Sequence, residues 1–318
     1  MGHRRSWADQ LRNQWGIPVG VALDAVLADP GGKYHPVAIF GRWASAVEAR
    51  IYQPTRKAGV SFLILTVTPV VGGTWYLSRQ IPQAMLAMSL AISLGGTTLE
   101  RVALRMATDL VKDPELARQW IPWLCSRDPA ALDGPAMARA TVESLAENAS
   151  DAAIASLWWA IFGAPAVVLH RCVNTLDAMV GYHNVRYEQF GWATARLDDC
   201  LAYIPARITS SLHCLVAIVR GKAGSLSVLV QQASAHPSPN AGLVEASAAL
   251  ALGVRLGGTT VYPHGMEHRP ALGDPAAPPP NVETIGQTIR LERFVRWTTV
   301  GLVTLGSVLI HKRWGFKK

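Results

Sequence analysis

Charge is scarce in this sequence. Only 16% of its 318 residues are Asp, Glu, Lys or Arg, against roughly 25% in an ordinary soluble domain. Half of the residues are hydrophobic, and the mean hydropathy is positive, at +0.18. Such a balance excludes a highly charged, solvated or disordered chain and points to a membrane protein with sizeable polar segments. Cysteine is sparse too. Cys125, Cys172, Cys200 and Cys214 form no CxxC pair, so neither a zinc knuckle nor a thioredoxin-like site is indicated. GxxxxGK[ST], GxSxG and HExxH are absent, as is a GxGxxG between strand and helix; Gly31-Gly32-Lys33 is therefore no P-loop. The opening MGHRRSWADQLRNQW lacks the apolar core of a cleavable signal peptide. No fixed-period repeat supports a solenoid.

What is present is a net charge of +8 with much of the basic excess near the ends. Arg4, Arg5 and Arg12 lie at one, and Lys312, Arg313, Lys317 and Lys318 at the other. Basic tails beside apolar segments fit cytoplasmic anchoring. No interleaving of aromatic and basic residues suggests nucleic acid.

Ala58–Leu77 carries no charge over twenty positions, enough to cross a hydrocarbon core of about 30 Å. Ile81–Leu99 is a second uncharged run, so the two are expected to form a transmembrane hairpin over residues 58–99. Ile17–Leu27 is too short for a simple span and contains Asp24. Glu100 to Cys125 reads as an amphipathic helix. Asp133, Gly134 and Pro135 mark the start of another helix. Lys222–Ala235 and Leu243–Leu256 read as helices, with Gly257-Gly258 as a stop. Pro270–Asn281 is a proline-rich linker. Trp297–Ile310 is a short apolar run, placing a C-terminal membrane helix near 294–311. The expected fold is all-α: one multi-pass integral-membrane domain over residues 1–318, with catalytic helices and loops within 100–258.

Against this apolar background stands a polar block, Glu143–Arg207. Glu143, Glu147 and Asp151 are spaced four apart, and on a helix each step turns by about 40°, so they share a stripe. The stripe is a site for magnesium or a cationic substrate, or else a solvated helix face; Asn148 lies beside it. Asn174, Asp177, Tyr182, Asn184, Arg186 and Tyr187 form a dense donor and acceptor set, followed by Arg196, Asp198 and Asp199. The bland alternative is a polar loop with internal salt bridges. In HPSPNAG, two prolines stiffen the backbone, presenting His236, Ser238 and Asn240 or capping the next helix. His35-Pro36, just after Asp29-Pro30, repeats the rigid His-Pro arrangement. Ala152–Leu169 is uncharged and bulky. Were it a simple span, it would separate Glu143–Asp151 from Asn174–Asp199; either it is a buried or re-entrant helix, with both blocks on the cytoplasmic side, or the two blocks serve different purposes, and the first is expected.

These strings together carry a family resemblance. LADPGGKYHPVAIFGR, ESLAENASDA, VNTLDAMVGYHNVRYEQFGWATARLDDCLAYIPARIT and HPSPNAGLVEASAALALGVRLGG resemble, in order and over most of the chain, the adenosylcobinamide-phosphate synthase (cobinamide synthase) family of cobalamin biosynthesis. Leu272–Asp274 matches a similar family triplet. The chain departs from the family at Ala149-Ser150-Asp151, where Thr-Val-Asp is common, and in its shorter first apolar segment.

The resemblance implies an acid–amine ligase of the cytoplasmic (inner) cell membrane. It would join (R)-1-amino-2-propanol or its O-phosphate to a propionate of adenosylcobyric acid, using ATP and Mg2+. Lipid, this corrinoid and other cobalamin-assembly enzymes are the implied partners. Glu143, Glu147 and Asp151 would be the metal ligands, and Asp177, Asp198 and His236 the catalytic groups. Asp177 or His236 could take the amine proton. Arg186, Arg196 and Arg207 could clamp phosphates. Asn148, Asn174, Tyr182, Asn184, Tyr187, Ser238 and Asn240 would complete substrate binding. The other reading is a non-catalytic membrane sensor or scaffold. Full rescue of a cobalamin auxotroph by both Asp151→Asn and Asp198→Asn would favour that alternative.

Overall fold

The uncharged run Ala58–Leu77 lies within a single helix, Arg56–Ser78. Thr55 begins it by accepting a hydrogen bond from the Ala58 amide at 3.3 Å, an N-cap of the usual kind. At 23 residues the helix is about 34 Å long, enough to cross a hydrocarbon core. Phe62, Thr66 and Val67 face protein, whereas Val60, Ile64, Leu65, Trp75 and Tyr76 stay exposed. A second long apolar helix is Trp192–Val219, with Pro205 inside it. Among the described residues, these two helices are long and apolar enough to cross a membrane.

The computed structural model describes residues 15–28, 32–182, 184–222, 228–262 and 265–314. Asp29-Pro30 and Gly31, Lys317, Lys318, the arginines near the start and residues 223–227 of the expected helix lie outside the described residues.

The chain divides into two compact units. One draws its described residues from Met1–Gly95, Ala155–Leu201 and Thr298–Lys318. Phe40, Phe62, Val173, Leu176, Val180 and Phe190 form its buried core. His35 starts its helix Pro36–Ile51 by accepting from the Val37 amide at 3.3 Å, with Pro36 in the first turn. The expected hairpin differs in its second limb. Pro82–Ser93 has only 12 residues, about 18 Å of helix, and packs against Gly16–Leu27. A new helix, Gly96–Lys112, starts just beyond it. Ala152–Leu169 is not one helix either. It passes from a wide π turn, Ala149–Ile154, through Ala155–Ala160 to a break before Ala164–Val180.

The other unit comprises Gly96–Ile154 and Ala202–Trp297. Met106, Ile121, Met137, Val142, Leu250, Leu256, Leu272 and Ile285 belong to its core. Asp133 caps Gly134–Asn148 by accepting from the Ala136 amide at 2.8 Å, and Pro135 sits in the first turn. The expectation of an all-α chain needs one correction: the fold is mostly helical but includes an antiparallel hairpin, Leu256–Tyr262 with Gly265–Leu272. Helix Ala241–Leu252 already stops at left-handed Gly253. The β-branched run Thr259-Thr260-Val261 then favours a strand. Pro270, read as the start of a linker, lies inside the second strand. Helix Val282–Trp314 is continuous over 33 residues.

Candidate functional site

The expected site residues fall into both units. Asn174, Asp177, Tyr182, Asn184, Arg186, Tyr187, Arg196 and Asp198 belong to the first. Glu143, Glu147, Asn148, Asp151, Arg207, His236, Ser238 and Asn240 belong to the second.

In the first unit, helix Ala164–Val180 carries Asn174 and Asp177, one turn apart and both half-buried. The segment after it is held by Glu48, which sequence reading missed. Glu48 Oε1 accepts from Arg186 Nη2 at 2.9 Å and from the Tyr187 hydroxyl at 3.0 Å. Tyr52 donates to the Arg186 carbonyl at 2.9 Å, and the guanidinium lies 4.3 Å from the centre of its ring. Asn184 accepts from the Tyr187 amide at 2.9 Å. Phe190 anchors the segment between the rings of Tyr52 and Phe62. Tyr182 and Arg196 are exposed, while Asp198 is half-buried near the start of Trp192–Val219.

The second unit holds a denser, drier arrangement. Glu143 is 4% exposed. Its Oε2 pairs with buried Arg127, and its Oε1 accepts the Gly257 amide at 2.7 Å. A Cβ on Gly257 would stand 2.0 Å from the Pro270 carbonyl, so only glycine allows this strand to pass. Arg139 adds bonds to the Gly257 and Thr259 carbonyls at 2.8 and 2.7 Å. Glu143 is thus tied into the hairpin through both oxygens. Burial tends to lower the Arg127 pKa, but Glu143 outweighs it and the net shift is upward.

Glu147 lies one turn on and is half-buried. Asp151 lies in the π turn that follows, where i→i+5 bonds replace the i→i+4 pattern. Asn148 uses its amide to donate to the Ser144 carbonyl at 3.0 Å. Among the described residues, no group of three or more His, Cys, Asp or Glu side chains is arranged to hold a metal ion.

HPSPNAG both caps a helix and presents a side chain. Ser238 Oγ accepts from the Ala241 amide at 3.2 Å, at the start of Ala241–Leu252. Asn240 is buried and accepts from Arg207 at 2.5 Å, while Arg207 stacks over Tyr203 at 3.6 Å. His236 Nδ1 lies 3.1 Å from the Ser238 amide nitrogen and 3.2 Å from the Ser238 carbonyl oxygen; in the tautomer that accepts from the amide, the proton of the neutral ring is on Nε2. Gly242 makes room for that ring: a Cβ there would come within 2.4 Å of His236 Cβ.

Nε2 points towards Glu245, whose Oε1 is 4.0 Å away. Glu245 is 2% exposed and was also missed from the sequence. Its signal is a lone charge in the otherwise uncharged helix AGLVEASAALAL. Ala146 packs with Val244 and Ala248, bringing the turns that carry Glu147 and Glu245 together. Burial raises the Glu245 pKa well above the usual carboxylate range; Glu143 and Glu147 add to it, while Arg269 opposes it. Burial also raises Glu147, against the pull of Arg269. It lowers His236, which favours a neutral ring. Chemically, this is a low-dielectric pocket rich in carboxylates, with one imidazole donor.

Comparison with known proteins places these observations in a family. Residues 17–292 match the family described as CobD/Cbib protein. The cobalamin biosynthesis protein CobD of Mycobacterium tuberculosis (strain H37Rv) is 43% identical over 307 residues, covering 94% of this chain and 96% of its own. The protein of that name from Chromobacterium violaceum is 38% identical over 308 residues, covering 92% and 96%. The one from Rhodobacter capsulatus is 36% identical over 293 residues, covering 86% and 91%. No solved structure matches the chain.

Proposed function

Because the chain belongs to the CobD/Cbib protein family and has a role in cobalamin biosynthesis, we propose that it is the membrane enzyme that attaches the aminopropanol arm of the corrinoid. The reaction joins (R)-1-amino-2-propanol, or its O-phosphate, to a propionate carboxylate of adenosylcobyric acid. ATP activates the carboxylate: the carboxylate oxygen takes the terminal phosphoryl group and ADP leaves. The amine nitrogen then attacks the acyl carbon, and inorganic phosphate and one proton depart. The protein is a multi-pass protein of the inner membrane with its site towards the cytoplasm.

The observation that supports this reading best is the cluster of half-buried Glu147 with buried Glu245 and His236. Carboxyl groups with raised pKa values, few cations beside them, suit a cationic amine more than a neutral or anionic reactant. Glu143 does not fit as a metal ligand, because Arg127 and the Gly257 amide engage both its oxygens. Magnesium would instead arrive with the ATP phosphates, since it commonly keeps several waters and uses few carboxylates. Arg196 and Arg207 are proposed to bind phosphate oxygens, in the manner of guanidinium forks. Asn174 and Asp177 are proposed to face the corrin side chains.

The test uses the purified full-length protein with ATP, magnesium, adenosylcobyric acid and either amine. ADP release with a heavier corrinoid is the expected result. Intact corrinoid and no ADP, from a preparation that binds the corrinoid, would refute the activity.

A further inference from the structure

The gap between His236 and Glu245 has a definite chemistry. His236 is 6% exposed and Glu245 3% over their side chains, and Nε2 lies 4.0 Å from Oε1. That is too long for a hydrogen bond, and among the described residues Nε2 has no hydrogen-bond partner. In the tautomer whose Nδ1 accepts the Ser238 amide, Nε2 offers a proton. Glu245 offers a carboxyl group beside it. The two groups thus present a donor and an acceptor that do not satisfy each other.

The surrounding charges set what can fill the gap. Arg127 is matched by Glu143. Arg269 is the other cation that acts on Glu147 and Glu245. Were both carboxylates ionised against one guanidinium, the formal charge would be −1, with Glu267 beside Arg269 at 3.7 Å adding to the negative side; burial instead raises both pKa values, and a cation bound there lets them ionise. Tyr262 and Cys125 line the same region without adding a charge at neutral pH. A buried uncompensated charge is costly, so the pocket favours one added cation. The offered donor requires that this ligand also carry an acceptor oxygen.

We propose that Glu245 and Glu147 seat the primary ammonium group of the amine substrate, while His236 Nε2–H holds the oxygen on its neighbouring carbon. The inference rests on the proposed amide-forming activity and names the residues that select its amine. A 1-amino-2-alkanol supplies both groups on adjacent carbons, and so does its phosphate ester. His236 acts here as a positioning donor. Ser238 orients the ring through its backbone contacts to Nδ1.

The test is a binding titration of the full-length protein without ATP or corrinoid. Its ligands are (R)-1-amino-2-propanol, its O-phosphate and uncharged 1,2-propanediol. At least one amine should bind about 10-fold or more tightly than the diol, and Glu245→Gln should weaken that amine by a similar factor, the range for a lost charge-assisted hydrogen bond. The two amine arms show which form the seat accepts. Equal binding of diol and both amines overturns the seat, as does unchanged amine binding in a folded Glu245→Gln variant. Should that variant fail to fold, the wild-type comparison of amine and diol decides. In turnover, Glu245→Gln should raise the amine KM with the KM for ATP unchanged; a KM for ATP that rises equally contradicts the assignment. If the wild-type protein forms no amide, the proposed activity falls, while the titration still judges the seat.

Discussion

Replacing Arg127 by Met tests the central ion pair of the second unit. Both partners are nearly inaccessible, with side-chain exposures of 4% for Arg127 and 5% for Glu143. Removing the guanidinium strands a buried carboxylate, which costs about 3–5 kcal/mol in comparable sites. The Gly257 amide still donates to Glu143 at 2.7 Å, so the lower end, about 3 kcal/mol, is expected. In thermal unfolding of the full-length protein followed by circular dichroism, this is a fall in Tm of about 6–12 °C, at about 2–4 °C per kcal/mol. The double variant Arg127→Met, Glu143→Leu removes both charges but leaves the Gly257 amide unsatisfied, a cost of about 1–3 kcal/mol. It should therefore be less impaired than the sum of the two single variants. A Tm change below about 2 °C for Arg127→Met, or strict additivity in the double variant, would refute the reasoning.

Three further outcomes are expected. The folded state holds the Glu245 proton to higher pH than the unfolded chain does, so this group's contribution to stability declines as pH rises above the unfolded value of about 4.3. His236, whose pKa is lowered, acts oppositely: its contribution is lost as pH falls below about 6.5. Tm between about pH 5 and 8 should thus fall less steeply with pH in Glu245→Gln than in wild type, and parallel slopes would contradict this. Gly242→Ala places a Cβ 2.4 Å from His236 Cβ and should destabilise by about 1–3 kcal/mol, with weaker amine binding measured by titration; a variant that binds the amine normally would contradict the packing argument. Ile64→Arg puts a charge on the exposed face of Arg56–Ser78, at a cost of about 2.5–3.5 kcal/mol if that face meets lipid. It should reduce the carbonate-resistant membrane fraction, and an unchanged fraction would argue against a lipid-facing helix.

Much of the helical framework was legible from local chemistry. Asp133 and Pro135 marked a helix start, and the uncharged run at Ala58–Leu77 marked a long apolar helix. The hairpin was not legible, because Gly257-Gly258 reads equally well as a helix stop and as a bulge. The π turn at Ala149–Ile154 was also hidden, since residue types do not announce i→i+5 geometry. Site residues in dense polar strings stood out. Arg127 and Glu48 did not, because each lies apart in sequence from the partner that gives it meaning: 16 residues for Arg127 and Glu143, and 138 for Glu48 and Arg186. Burial and long-range pairing, not local pattern, distinguish Glu245 from an ordinary surface glutamate.

Exposure also separates two arginine-rich features that look alike in sequence. Arg186 keeps 56% of its side chain exposed while paired with Glu48, and water screens such a pair strongly. Its position is set by stacking on Tyr52 and by bonds to Glu48, which is the pattern of a clamp on the segment Tyr182–Trp192. Charge selection of a substrate falls more naturally to the buried group around Glu245, where an added cation meets little screening. Arg186→Lys keeps the charge but loses the planar stack. It should leave the amine KM unchanged. A large rise in that KM, measured in the ADP-release assay, would move amine selection from the buried pocket to the Arg186 clamp.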